Sequence, residues 1–169
     1  YEARGDLTLE AYWPMVNGKT SALLSACTNI GALAANASQA VCDAYRRFGR
    51  LLGLAFQAQD DLLGIWGNAA LTGKSTESDL LSGKKSLPVL YGLAQNGAFA
   101  QRWSQGPVTP DEIVPLAAQL EAEGGRAYTQ ERTNDLTKQA LQALAEAQPR
   151  GEAGEALVSL AKRLVSRQA

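Results

Sequence analysis

The chain has 169 residues, with 16 basic and 17 acidic side chains and a formal net charge of −1. So even and scattered a charge excludes the basic footprint of a nucleic-acid-binding protein, and no apolar run is long and charge-free enough to span a bilayer. The length suffices for one domain with a sizeable core.

The periodicity is helical from end to end, and no alternating strand pattern persists, so the expected fold class is all-α. Thr8 is placed to cap a first helix through residue 17, with Pro14 marking a kink. Gly18 interrupts the pattern, and a second helix over residues 19–35 is small and apolar. Ser38 caps a long helix reaching about Trp66, with Val41, Tyr45, Phe48, Leu52 and Phe56 on its apolar stripe. Gly49 and Gly53, one turn apart, would let another helix approach closely. Residues 67–85 break the periodicity with Gly, Ser, Thr and Lys. Helix resumes at Ser86 with Pro88 in its first turn, and a short segment follows over 99–104. Thr109-Pro110-Asp111-Glu112 has the pattern of a capping box. Its helix ends near Gly124, the next is stopped by Pro149, and the last covers about 152–166. From Asp111 onward the sequence reads as scaffold. Cys27 and Cys42, the only cysteines, each lie among apolar residues and are expected to be buried free thiols of a reducing compartment.

The chemistry concentrates in F-Q-A-Q-D-D-L-L-G, residues 56–64. Gln57, Asp60, Asp61 and Gly64 are spaced i, i+3, i+4, i+7, so they share one stripe of the long helix. No Lys or Arg stands within one turn of the two carboxylates. Held this close at an effective dielectric of ~20, two like charges repel by several kcal/mol. Either one is protonated or a cation arrives from elsewhere. The chain has no histidine, and a hard divalent ion with oxygen ligands, Mg²⁺ shared with a phosphate, suits this donor set best.

The following G-N-A-A-L-T-G-K-S, residues 67–75, is not a P-loop. Five residues separate Gly67 from the Gly73-Lys74 pair where a P-loop has four, and a helix precedes it where a P-loop follows a strand. With Lys74, Lys84 and Lys85 it still has the composition to close over an anion. Metal-seeking acids ahead of such a loop point to a magnesium diphosphate. Gly18-Lys19-Thr20 reads either as a plain helix break with an exposed lysine, or as an ammonium and a hydroxyl aimed at one anion.

These segments together resemble the trans-isoprenyl diphosphate synthases of the polyprenyl synthetase family, in their C-terminal half. The family's second aspartate-rich region looks like F-Q-x-x-D-D-x-x-D, then a G-K loop, then D-L-x-x-G-K-x-x-L-P-V. Here it is F-Q-A-Q-D-D-L-L-G, then T-G-K-S-T-E-S-D-L-L-S-G-K-K-S-L-P-V-L, with the upstream lysine–threonine pair as G-K-T-S-A-L-L. The match anchors residues 18–90. The family's third aspartate is Gly64 here, a variant associated with some bacterial geranylgeranyl-type members. Tyr1 is not an initiator methionine, and the chain is expected to be a piece: a single domain over 1–169, the C-terminal part of an isoprenoid synthase-type helical bundle. The first aspartate-rich motif and most of the isopentenyl diphosphate site are then expected upstream.

The resemblance implies a magnesium-dependent prenyltransferase that condenses an allylic diphosphate with isopentenyl diphosphate. It implies a cytoplasmic homodimer, and a separate N-terminal fragment accompanying this chain. Asp60 is the implied direct metal ligand, with Asp61 and Asp79 acting through waters or outer hydrogen bonds. Lys19 and Lys74 are assigned to the allylic diphosphate, and Lys84 to the edge of the same metal–diphosphate cluster. Thr20 and Gln57 set oxygen dipoles near the cationic carbon, and Phe56 faces the cation or the second substrate. A terpene cyclase of the same fold and a non-catalytic subunit that tunes a partner's product length are the alternatives. The aspartate pair and the double-lysine loop favour chain elongation.

Overall fold

The computed structural model describes residues 7–67 and 78–165, and every regular element among them is helical. In order these are α1 (Leu9–Val16), a π-helical turn (Asn17–Ser21), α2 (Ala22–Ala34), α3 (Gln39–Trp66), α4 (Ser78–Leu81), α5 (Leu87–Ala94) and α6 (Ala98–Trp103). A 3₁₀ turn (Pro110–Glu112) then leads into α7 (Ile113–Ala122), α8 (Gly125–Glu146) and α9 (Gly151–Val165). The described residues form two compact units. One holds the chain through Tyr12 and residues 58–131; the other holds residues 13–57 and 132–165. Helices α1, α3 and α8 contribute to both.

In the unit of residues 13–57 and 132–165, Phe48, Leu51 and Leu52 of α3 pack on Ala140, Ala143 and Leu144 of α8 and on Ala161 of α9. The three alanines leave room for Phe48, which is fully buried, and each large apolar side chain buried this way contributes about 1.5–3 kcal/mol. The expected break at Gly18 is absent. The chain passes from α1 to α2 through the π turn, and the helical path continues because Ser21, at the end of that turn, is buried against α3. A Cβ on Gly53 would lie 2.6 Å from the Ser21 Cα, and one on Gly49 would lie 2.8 Å from the Leu24 carbonyl carbon. The two glycines thus admit the neighbouring backbone, as their spacing suggested. Thr28 strengthens the same contact by donating its hydroxyl to the Tyr45 carbonyl at 2.7 Å.

The outer face of α2 corrects one expectation. Cys42 is buried, but Cys27 is exposed. It lies on a helix without a charged residue, beside Leu23 and Ile30, which are 70% and 62% exposed. A small apolar sequence reads as buried, yet within this unit α2 is covered only on the side of Gly49 and Gly53.

In the other unit Ile65, Leu80, Val89, Phe99, Ile113, Leu116 and Leu120 form the core. Chain reversals are set by local chemistry. Thr109 and Glu112 make the expected capping box, but the first turn behind it is 3₁₀. Gly124 takes φ +91° between α7 and α8, a left-handed value that favours glycine. The Arg102 guanidinium donates to Glu112 through Nε at 2.6 Å, tying α6 to the capping box. That bond, with those from the Thr109 N–H and hydroxyl, holds the Glu112 carboxyl at a pKa of about 2.

Two outcomes follow. Gly53→Ala gains helix propensity of up to about 1 kcal/mol, but its methyl group meets the Ser21 backbone, and overpacking of this kind costs about 1–3 kcal/mol. Urea denaturation is expected to show net destabilisation; a stabilised variant would refute the close approach. A carboxyl depressed in the folded state adds stability that is present above its unfolded pKa of 4.5 and is lost as pH falls from there toward 2. The decline in melting temperature between pH 5 and 2 should therefore be shallower in Glu112→Gln.

Candidate active site

One member of the acid pair of α3, Asp61, meets a cation from within the chain. Helix α4 ends in a Schellman motif: the Gly83 N–H donates to the Leu80 carbonyl at 3.1 Å, and the Lys84 N–H to the Asp79 carbonyl at 3.0 Å. Gly83 takes φ +66°, as the motif requires. The turn folds Lys84 back on its own helix. Its Nζ lies 2.7 Å from Asp79 Oδ2 and 3.1 Å from Asp61 Oδ1. The absence of Lys and Arg within a turn of the acids on α3 is thus answered by a lysine more than twenty positions downstream.

Asp61 is buried, with 1% of its surface exposed, and its second oxygen is the meeting point of two further donors. The Tyr12 hydroxyl reaches Oδ2 at 2.8 Å and the Leu87 N–H reaches it at 2.9 Å. Leu87 opens α5, where Ser86 has the backbone of an N-cap but makes no capping bond with its side chain. The Asp61 carboxylate caps that helix from α3, where the positive end of the helix dipole also favours it. Burial weakens the Lys84 charge, but Asp61 and Asp79 together outweigh it and hold the ammonium above the ordinary lysine range. Burial pushes Asp79 up, and the bond from Lys84 offsets part of that rise. Burial also raises Tyr12 well above the usual phenol value, reinforced by the adjacent Asp61 charge.

Asp60 lies on the same turn of α3 and is part-exposed. Among the described residues no three His, Cys, Asp or Glu side chains converge as a metal cage. The donor chemistry fits magnesium through Asp60, since this ion binds one or two carboxylates and keeps substrate phosphates and water as its other ligands. It fits less well at Asp61 and Asp79, whose oxygens already receive Lys84, Tyr12 and the Leu87 N–H. Lys84, assigned by resemblance to the diphosphate cluster, is placed on these two acids.

The other candidates lie in the unit of residues 13–57. Lys19 is exposed on the π turn, and Thr20 on the same turn donates its hydroxyl to Gln57 Oε1 at 3.1 Å. Single-turn π elements are often found at functional sites. Phe56 is half-buried beside Gln57 on α3. Lys74 lies outside the described residues. Sequence reasoning missed Tyr12 and, although Gly83 and Leu87 stand in the quoted motif, the parts played by Gly83 and the Leu87 N–H. Tyr12 carries the pattern of a core aromatic, and its partner is 49 positions away.

Tyr12→Phe removes a hydrogen bond to a buried charge, which costs about 1.5–3 kcal/mol. A phenol raised in the folded state adds stability that is complete below its unfolded pKa of 10 and is lost as pH rises above it. In an alkaline absorbance titration one tyrosine should resist ionisation until the protein unfolds, and Tyr12→Phe should abolish that late step. Were all tyrosines to ionise together near pH 10, Tyr12 would not be bonded to Asp61.

Comparison with known proteins bears on this arrangement. The family model described as polyprenyl synthetase matches residues 1–112. The (2E,6E)-farnesyl diphosphate synthase of Mycobacterium tuberculosis is 37% identical over 177 residues, covering 100% of this chain and 49% of that protein. The geranylgeranyl diphosphate synthase of the same organism is 37% identical over 151 residues, covering 86% and 43%. The crystal structure of a polyprenyl synthetase from Streptomyces coelicolor superposes with a TM-score of 0.85 at 36% identity, covering 98% of this chain and 52% of that one. The chain thus spans about half the length of the relatives it matches. With the family model covering well over half of its residues and the all-helical fold shared, this chain belongs to the polyprenyl synthetase family.

Proposed function

We propose that the enzyme to which this chain contributes its C-terminal half condenses an allylic prenyl diphosphate with isopentenyl diphosphate, head to tail, to a longer prenyl diphosphate. The observation that carries this reading is the aspartate stripe of α3 with its downstream lysine turn folded onto it, in a chain of this family. Such a site suits a reaction whose main demand is to stabilise a departing polyanion in a dry cavity.

A magnesium ion held by Asp60 would supply charge neutralisation for the leaving diphosphate. Lys19 and Lys74 bind the same diphosphate with their ammonium groups. The allylic C–O bond ionises, the double bond of isopentenyl diphosphate attacks the cation, and the departing diphosphate takes the proton. The hydrogen bond from Thr20 orients the Gln57 amide oxygen, and this pair turns its oxygen dipoles toward the cationic carbon. Phe56 lines the cation's path. Asp61 and Asp79 act behind these groups by fixing Lys84 and the start of α5.

The remaining half of the enzyme supplies the facing aspartate motif and the isopentenyl diphosphate site. The exposed apolar face of α2, with Leu23, Ile30 and Leu33 at 70%, 62% and 53% exposure, supports a companion there. Apolar faces of this kind mark interaction surfaces. The whole enzyme is proposed to work as a cytoplasmic homodimer.

The test is an assay with radiolabelled isopentenyl diphosphate and geranyl or farnesyl diphosphate. Residues 1–169 alone are expected to form no product, and the protein with its upstream half to form a longer diphosphate. A hydrocarbon product would identify a cyclase instead. Within the active enzyme, Asp60→Ala should lower the rate on the order of a thousandfold, since a direct metal ligand is worth several kcal/mol in the transition state. Equal and mild losses for Asp60→Ala, Asp61→Ala and Asp79→Ala would show that the metal is held elsewhere.

A further inference from the structure

Gly64 ends the acid stripe of α3, and the space beside it is not empty. A Cβ built on Gly64 would lie 2.5 Å from Asp79 Cγ and 3.0 Å from Asp79 Oδ1. The Asp79 carboxylate therefore occupies the place where a side chain at position 64 would begin. It is 7% exposed, and from that seat it holds the Lys84 ammonium jointly with Asp61. The left-handed Gly83 and the Schellman bonds of α4 bring Asp79 and Lys84 to this point together.

We propose that Lys84 is the built-in counter-cation of the buried Asp61–Asp79 pair, and that Gly64 is the positioning residue whose missing side chain makes the arrangement possible. Two carboxylates this close need a positive charge. An ammonium bonded to both supplies it and repels a second cation, so the pair does not draw free magnesium while Lys84 is in place. With the ammonium removed, the two oxygen donors regain the charge and hardness that suit that ion. A side chain at position 64, an aspartate included, first displaces the Asp79 carboxylate.

This inference concerns the chain's own charge balance and stands apart from the reaction proposed above. Its test reads thermal unfolding of the intact enzyme, with and without magnesium chloride and without substrate. Gly64→Ala should lower the melting temperature by several degrees in the parent, but have little effect in an Asp79→Ala background, where the seat is vacant. Contacting residues show this kind of non-additivity, and independent ones do not. Lys84→Met should also melt earlier, and added magnesium should recover much of the loss, whereas magnesium should shift the parent little. If Lys84→Met proves too unstable to purify, the Gly64 and Asp79 variants decide alone. Additive effects of Gly64→Ala and Asp79→Ala would overturn the seat. A magnesium shift of equal size in the parent and Lys84→Met would overturn the counter-cation role. Absence of prenyl transfer in the intact parent enzyme, with these stability effects present, would count against the proposed reaction only.

Discussion

A carboxylate buried to 1% exposure is the constraint on which the unit around the aspartate stripe depends. Removing such a charge from water costs several kcal/mol unless its oxygens are bonded and its charge is answered. Asp61 receives the Tyr12 hydroxyl from α1, the first N–H of α5 and the ammonium that follows α4. Three segments distant in sequence are thereby held to one turn of α3. The arrangement is costly to break, because the loss of any donor leaves part of a charge unanswered in a place water does not reach.

Glycine decides how closely the remaining pieces approach, in three different ways. Gly53 removes a side chain so that the Ser21 backbone can lie against α3. Gly64 removes one so that a carboxylate from another helix can settle on the acid stripe. Gly83 has open space around it and is needed for its left-handed backbone, which ends α4 and turns Lys84 inward. The first is a packing requirement, the second an electrostatic one, and the third conformational.

The charges are also sorted by role. Asp61 and Asp79 share the Lys84 ammonium at close range. Asp60 is part-exposed on the same turn, and Lys19 is exposed on the π turn. Both have the access to solvent that the proposed contact with a highly charged substrate requires. Groups meant to hold geometry gain from a low dielectric, where each charged hydrogen bond is stronger. One acidic stripe supports both demands because adjacent residues on a helix point in different directions.

The sequence by itself determined the helical fold class, most of the helix limits, the capping box at Thr109 and the close approach at Gly49 and Gly53. These follow from periodicity, capping chemistry and residue size, which act over a few positions. It also singled out the Asp60–Asp61 pair and the lysine-bearing loop, and the resemblance of these motifs to the polyprenyl synthetase family pointed to Asp79 and Lys84. The tertiary structure decided what those groups do to one another. The cation for Asp61, the Tyr12 bond to Asp61 and the seat of Asp79 beside Gly64 are contacts across 23, 49 and 15 positions. The continuity of the chain through Gly18 and the exposure of Cys27 likewise depended on which face α3 covers. No local pattern encodes such contacts, because the energy of a buried charge or a backbone contact depends on what folding brings beside it.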